Sequence, residues 1–440
     1  MSGGLTAGRR ILPAALAIGA LLIAPAYADA LSFFRTDIPV GTHPTSVAVG
    51  NFNGGAPDLA VTNEGSDGVS ILLGNGFGQF TAGTPISGGD APSSVVTGNF
   101  NGDAFTDLAI ASVGNDNIAI KLGDGTGAFT DSGAVSTGTS SDPRAIATGD
   151  FNNDGKTDLV SANQGSSTVS VHLGDGMGGF ATDPTPKDVS TGSGLPAANP
   201  VAIAVIQLGG TIGTPNTDLD AIVASQTSDQ VLELLGDGTG DFTGAGTLYT
   251  SMGIPGSDPS GVAIGSLNPA SPNPGFAAEP DMLTANQGVD QVWPAYGRTD
   301  GTFFDFGGVE MTGADPVAIA MGDLDGDGDQ DGISADMGGN DVTPIISDGS
   351  GDVAADTPTS VGLSPRAVAT GPFDADARDD VAVANYDSNS VTVLSSLAPG
   401  PPPAPPGTSN PPVTKKKKCK KKKHRHSAAA AKKKCKKKKR

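Results

Sequence analysis

Between residues 31 and 414 the sequence contains no cysteine, two histidines and only eight lysines or arginines. Without cysteine this body folds without disulfides, so something else must fasten its loops. It also lacks the patterns by which common enzymes are recognised: there is no HExxH, no GxSxG and no glycine-rich phosphate loop opening a helix. Of the two histidines, His172 stands in a strand where neighbouring units carry Leu72 and Lys121. It therefore reads as an ordinary strand residue and not as a base. Beyond the N-terminus no segment reaches the roughly 18 apolar residues of a membrane span.

The scarcity of cations is local. Of the 27 Lys and Arg, 17 lie after residue 414 and two within the first ten residues, while nearly all 47 Asp and Glu fall between. The body is strongly acidic and the tail strongly basic. Such a body repels nucleic acid and attracts divalent cations, and the tail does the reverse. A halophilic proteome would also produce an acidic body, but the lysine-rich tail argues against it.

The chain opens with MSGGLTAGRR, continues with the apolar run ILPAALAIGALLIAP and reaches AYA at Ala28. A basic start, a short apolar stretch and small residues at the cleavage positions have the form of a secretory signal peptide over 1–28. Cleavage before Asp29 is expected, with an uncleaved anchor as the alternative. On this reading the mature protein is secreted and associated with the cell surface.

What the body does contain is self-similarity. PSSVVTGNFNGDAFTDLAIASVGNDNIAIKLGDGTGAF from Pro92 and PRAIATGDFNNDGKTDLVSANQGSSTVSVHLGDGMGGF from Pro143 follow one pattern. Comparable units begin at Pro44, Pro200, Pro259, Pro316 and Pro365, 48 to 59 residues apart. Within the third unit AIATGDF, TDLVSAN and TVSVHLG are alternating β-branched runs, with a weaker fourth strand led by Gly178–Pro184. LGDGMG is a hairpin signal with glycine where positive φ is needed. Four antiparallel strands per unit of this length is the signature of a propeller blade. The spacing predicts an all-β, seven-bladed β-propeller over residues 29–397. The seventh unit stops at VTVLSSL without its fourth strand, and LSFFRTDIPVG (31–41) looks like a fourth strand without a blade. The N-terminal strand is expected to complete the last blade and leave no free edge.

These units resemble FG-GAP/VCBS repeats, the blade type of the N-terminal propeller of integrin α subunits. The resemblance rests on the recurring VAxGDFNxDGxxDLAVA and LGDGxGxF segments, clearest in units two and three and visible in one, six and seven. Units four and five replace the aspartate turn with Pro/Gly/Asn-rich insertions. Units five and six carry Pro294 and Pro344 inside strand three, which removes one ladder donor each and predicts poorly paired outer strands.

Residues 321–332 read MGDLDGDGDQDG, with aspartate at every second position from Asp323 to Asp331. Calcium takes six to eight oxygens, and carboxylates at positions 1, 3 and 5, a bend at 6 and a carbonyl at 7 can wrap one ion. Unit six offers Asp323, Asp325, Asp327, the carbonyl of Asp329, and Asp331 at position 9. Unit three offers Asp150, Asn152, Asp154, the carbonyl of Lys156, and Asp158. Unit two offers Asn99, Asn101, Asp103, the carbonyl of Phe105, and Asp107. An EF-hand needs a bidentate Glu at position 12, where this sequence has Ser334 or Ser161. Magnesium is disfavoured because it retains waters over an all-protein cage. The remaining alternative is a set of Asx-rich turns without an ion. Unit one (Asn51, Asn53, Asp58) is one residue short, unit seven (Asp374, Asp376, Asp380) lacks a ligand at Pro372, and units four and five are expected to bind nothing. The resemblance implies that these loops join strands one and two on the lower face and that their Ca2+ is structural.

Residues 398–414, APGPPPAPPGTSNPPVT, form a proline-stiffened linker extending about 3.1 Å per residue. Residues 415–440 place 17 cations in 26 positions with too little apolar surface to fold alone, and read as disordered. Such a tail is worth about 1 kcal/mol per cation near an anionic surface. Its expected partner is an anionic cell-wall polymer or a membrane surface, without specific nucleic-acid recognition; folding back onto the acidic body is the alternative. Cys419 and Cys435 are spaced wrongly for zinc with His424 and His426, which leaves a disulfide within the tail or between chains.

The sequence thus points to an exported, calcium-stabilised, monomeric binding or adhesion module. Its protein or glycan ligand is expected on the face opposite the calcium turns, where the strand 4–1 connections, for example 181–199 and 243–258, vary most. The alternative is a secreted carbohydrate-active or other hydrolytic propeller enzyme using paired carboxylates.

Overall fold

The computed structural model describes residues 31–182, 187–188, 199–207, 218–250, 256–267, 279–298, 303–304, 310–350 and 352–396. The leader, linker and tail read from the sequence, with Cys419 and Cys435, lie outside these residues. Seven antiparallel sheets follow one another along the chain, six of them in sequential strand order and the seventh completed by a strand from the N-terminal end. The first strands of neighbouring blades pack against one another around the ring. The protein is a seven-bladed, all-β propeller.

Each second strand is buried along its whole length, as in Asp58–Asn63, Asp158–Asn163 and Asp380–Asn385. A strand sandwiched between two neighbouring blades has no solvent face, which is why runs such as LAIA and IVA are continuously apolar. The first strands begin at Pro44, Pro92, Pro143, Pro200, Pro259, Pro316 and Pro365. In every blade the register slips directly after that proline, so that the next residue bulges out of the ladder.

Two rings of interactions join the blades. On the side of the strand 1–2 turns, the phenylalanine of each GDF-type turn meets the phenylalanine opening the next blade's fourth strand. Phe52–Phe129, Phe100–Phe180, Phe151–Phe242 and Phe373–Phe80 are edge-to-face pairs with centroids 5.3–6.0 Å apart, each worth about 0.5–1.5 kcal/mol beyond its buried area. The carbonyls of Phe52, Phe100, Phe151 and Phe373 also accept from Gly127, Gly178, Gly240 and Gly78 at 2.7–3.0 Å. On the opposite side, the residue preceding strand three adopts a left-handed φ near +55° in every blade, for example Asp67, Asp229 and Asn389. Asp and Asn tolerate that region better than most side chains. Their side-chain oxygens accept the backbone N–H that opens the next blade: Ala91 to Asp67 at 3.1 Å, Asp258 to Asp229 at 3.0 Å, Ser364 to Asn340 at 2.8 Å. Ser167 stands in this position in blade three.

The ring is closed by a strand from the opposite end of the chain. Phe34–Pro39 pairs antiparallel with Ser390–Ser395, from Phe34 opposite Ser395 to Pro39 opposite Ser390. Thr392 donates to Asp37 at 2.7 Å, and His43 N–H donates to Asn389 at 2.8 Å. His43 also stacks on Tyr386 at 4.4 Å.

Two expectations need correction. The outer strands of blades five and six are broken, but proline is not the cause. Blade one has the same break between Phe80–Ala82 and Ile86–Ser87 without a proline in its third strand. The bond at the break is also the same: Gly83 N–H to the Ile71 carbonyl in blade one, Asp356 N–H to the Pro344 carbonyl in blade six, both 2.8 Å. Pro344 therefore occupies a slot whose own N–H faces an already interrupted neighbour. Secondly, residues 243–250 are not a connection but part of the strand Phe242–Thr250. The Gly-Ala-Gly segment at its centre, 244–246, breaks the strand signal carried by the Thr, Phe and Tyr on either side.

Removing residues 31–39 is expected to leave Ser390–Ser395 as an open edge. The truncated protein should melt at lower temperature and self-associate, as read by thermal unfolding and size-exclusion chromatography; a monomer with unchanged melting would contradict the closure.

Candidate metal centre

The acidic turns sit between strands one and two, and the structure separates their residues into two groups. The first is the aspartate opening every second strand, which includes the position-9 candidates Asp107, Asp158 and Asp331. All seven of these carboxylates are buried. Asp158 accepts Phe151 N–H at 2.9 Å on one oxygen and Gly174 N–H at 2.7 Å on the other. Asp107 does the same with Phe100 and Gly123, both 2.8 Å, and Asp331 with Leu324 at 2.8 Å and Ser347 at 2.9 Å. Asp281 in blade five, where no acidic turn exists, still accepts Leu267 at 2.7 Å and Gly297 at 3.0 Å. The fold alone accounts for this aspartate, which pins the strand 1–2 turn to the end of strand three. Each oxygen keeps a further lone pair with which it could meet a cation.

The second group, positions 1, 3 and 5, differs from blade to blade. In blade six, carboxylate oxygens of Asp323, Asp325 and Asp327 lie within 4.8 Å of one another, the one such acidic, His or Cys trio among the described residues. Asp323 accepts Gly326 and Gly328 N–H at 2.7 and 3.1 Å, Asp325 accepts Asp327 N–H at 3.0 Å, and Asp327 accepts Asp329 N–H at 2.9 Å. The left-handed Gly326 and Gly328 make this winding possible. Burial, joined by the charges of Asp323 and Asp327, pushes the Asp325 carboxyl up, and likewise Asp329. The Asp331 carboxyl is pushed up to about 7 by burial against the pull of its two N–H bonds. No lysine or arginine forms an ion pair with any of the five among the described residues.

Blade three is partly self-neutralised. Asp150 accepts Asp154 and Gly155 N–H at 3.0 and 2.8 Å, Asn152 accepts Asp154 N–H at 3.0 Å, and Lys156 pairs its ammonium with Asp154 at 2.9 Å. In blade two the amide groups do a similar job: Asn101 donates to Asp103 at 2.8 Å, Asn99 donates to the Asp103 carbonyl, and Asp103 accepts Phe105 N–H at 2.7 Å. Blade six is thus the turn where repulsion is least offset by the protein's own donors.

The pattern matches a known repeat: the profile of the FG-GAP-like repeat covers residues 99–161, which hold the turns of blades two and three. Residues 99–161 match the FG-GAP-like repeat. No curated protein matches this FG-GAP propeller in sequence. Among solved structures it is similar to the virginiamycin B lyase of Staphylococcus aureus, at 12% identity and TM-score 0.53, over 83% of this chain and 99% of that one. BBS1N, solved in complex with ARL6DN, is 12% identical at TM-score 0.54, over 84% and 97%. A putative 6-phosphogluconolactonase from Bacteroides uniformis is 13% identical at TM-score 0.54, over 73% and 87%. At these identities the likeness is one of fold.

Outside the turns, several titratable residues among those described are buried. His172 is buried and bonded to Ser161 at 3.1 Å, and burial holds it down to about 4, so it stays neutral. Sequence reading missed the raised carboxyls Glu233 and Asp336, which lie outside the turns, and could not show that Asp380 in the blade-seven turn is raised too. Burial lifts Glu233 to about 7 and Asp336 to about 6; Asp380 rises to about 7 by burial and the charges of Asp374 and Asp376. Asp336 occupies the strand-two end where Asn63, Asn163 and Asn385 stand in other blades.

Two outcomes follow. Asp281→Ala strands two buried N–H groups and should destabilise by on the order of 3 kcal/mol whether or not calcium is present, measured by denaturant unfolding. The raised carboxyls bind protons in the folded state that they release when unfolded, so between pH 4 and pH 7 stability should fall as pH rises. The lowered carboxyls, such as Asp37 and Asp131, act in the opposite sense mainly near and below pH 4, and His172, held down to about 4 by burial, offsets part of the fall as the unfolded chain loses its imidazole proton. In chelator the melting temperature should be lower at pH 8 than at pH 5; a flat profile would contradict the assignment.

Proposed function

We propose that this FG-GAP propeller is an exported binding module, stabilised by calcium in its acidic turns and held near the cell surface by its basic tail. The observation that carries the reading is the blade-six turn, where three carboxylates converge without a compensating cation among the described residues. In this proposal Asp323, Asp325 and Asp327, the Asp329 carbonyl and Asp331 hold Ca2+ in blade six. The sets from Asp150 to Asp158 and from Asn99 to Asp107 hold weaker ions in blades three and two. Calcium contributes charge neutralisation and loop closure, the task disulfides would otherwise perform. The turns occupy one side of the ring, which leaves the strand 2–3 and 4–1 connections for a protein or glycan ligand.

A hydrolytic or lyase activity is the rival, favoured by the enzymes among the similar folds. It would need a carboxylate pair outside the turns, and a substrate screen on the Asp325→Asn variant separates the two readings: a calcium-turn change should lower stability without abolishing a catalytic rate.

Affinity in the range of extracellular modules is roughly 10⁻⁴–10⁻³ M. At tenfold over Kd one site stabilises by about 1.4 kcal/mol, so chelation should lower the melting temperature by a few degrees. Asp325→Asn combined with Asp327→Asn should remove most of that shift. An identical melting temperature with calcium and with chelator would overturn the structural role of the ion.

A further inference from the structure

The residue that bulges from each first strand is aimed at the axis of the ring. All seven line a cavity of about 310 Å³ at the channel mouth, together with Glu64 and the glutamines that follow three of the second strands. This is the side of the strand 2–3 and 4–1 connections. Three of the bulged residues are occupied in joining blades: Thr45 donates to the Pro92 carbonyl at 2.9 Å, Ser93 to Pro143 at 2.6 Å and Ser260 to Pro316 at 2.7 Å. Val201 and Val317 are apolar. The other two are Arg144 and Arg366, whose side chains make no hydrogen bond to a neighbouring blade among the described residues.

Those two arginines are conspicuous in a body with eight cations. Three of the eight, Arg35, Lys121 and Lys156, are held in ion pairs with Asp37, Asp131 and Asp154. Among the described residues neither Arg144 nor Arg366 pairs with a carboxylate. Arg144 is oriented by one bond, Nε to the Gln164 side-chain carbonyl at 2.6 Å, which leaves the two terminal nitrogens of its planar fork for a ligand. Arg366 lies over the Tyr386 ring at 4.7 Å, and that tyrosine bonds Glu64. Gln226 donates to Gln287 at 2.9 Å, so the Gln287 amide nitrogen and the Gln226 carbonyl have no side-chain partner among the described residues.

The site therefore offers one forked cation, a second cation beside an acid, and neutral donors and acceptors between them. A dianion such as phosphate is poorly matched to single guanidiniums inside a strongly acidic body, whereas a carboxylate meets one guanidinium through two parallel hydrogen bonds. The amides suit hydroxyl groups, and the volume is at the lower end of small-molecule sites, roughly 300 Å³. We propose that the channel mouth binds a hexuronate, with Arg144 taking the sugar's carboxylate and Arg366, Glu64 and the glutamine amides reading its hydroxyls. This rests on the reading of that side as the ligand face.

The test is calorimetric titration of the full chain, in calcium, with free galacturonate and glucuronate, a galacturonate trimer, acetate and glucose. The basic tail is common to wild type and variants, so its salt-dependent attraction cancels in the comparison. Wild type should bind at least one uronate tenfold more tightly than acetate or glucose. Arg144→Gln should lose tenfold or more in uronate affinity, Arg366→Gln threefold or more, and both should melt with wild type because neither side chain joins two blades. A trimer that binds where free uronates do not would place the ligand in a polymer chain and still require the loss in Arg144→Gln. Uronate and trimer affinities unchanged in both variants, or no binding by wild type, would overturn the inference. If wild type and both variants then bind the same cells or glycan array equally, the binding-module reading survives without the uronate site; if none binds, it fails as well.

Discussion

A buried carboxylate at the mouth of every second strand is the constraint on which the remaining structure depends. Its two oxygens accept N–H groups from two places, the strand 1–2 turn and the end of strand three, as at Asp158 and Asp281. Fixing those two points places the aromatic or aliphatic residue of the turn, Phe151 or Leu267, where it meets the next blade. One local bond pair thereby sets the joint between blades. A charge at such depth is tolerable only while its hydrogen bonds persist, which makes this corner of each blade an all-or-none element.

The same corner explains why the acidic turns can vary without cost to the fold. Because the strand-two aspartate already secures the turn, positions 1, 3 and 5 are released from structural duty and can be acidic in blade six, mixed in blades two and three, and absent in blades four and five. The carboxylates of blade six gather close to one another, and burial, with their mutual repulsion adding to it, raises the proton affinity of Asp325, Asp329 and Asp331. Electrostatic stress gathers in the turns of blades six and seven, on the side away from the channel mouth that holds Arg144 and Arg366.

The blade count was legible because strand two is a continuous apolar run bounded by an aspartate turn, and because each unit starts with proline. That pattern reflects burial between neighbours, the strongest signal a propeller writes into its sequence. The outer strand of blade four was not legible, since Phe242–Thr250 is interrupted at its centre by Gly244, Ala245 and Gly246, which pairing with strand three holds in line. The proposed cage residues could be read by spacing, yet spacing could not reveal that Asp107, Asp158 and Asp331 share a backbone-binding role with Asp281. Nor could alternation along PRAVATG indicate that its arginine leaves the ladder, because a bulge is a property of two strands and is invisible in one.

The antiparallel seam between Phe34–Pro39 and Ser390–Ser395 joins residues about as far apart as the described chain allows. Until Ser395 has been synthesised and delivered, the strand at Phe34 has no partner, and no order of earlier events can substitute for its arrival. The other six sheets each draw on one continuous stretch of chain, whereas the seventh gains its outer strand only when Phe34–Pro39 and Ser390–Ser395 meet.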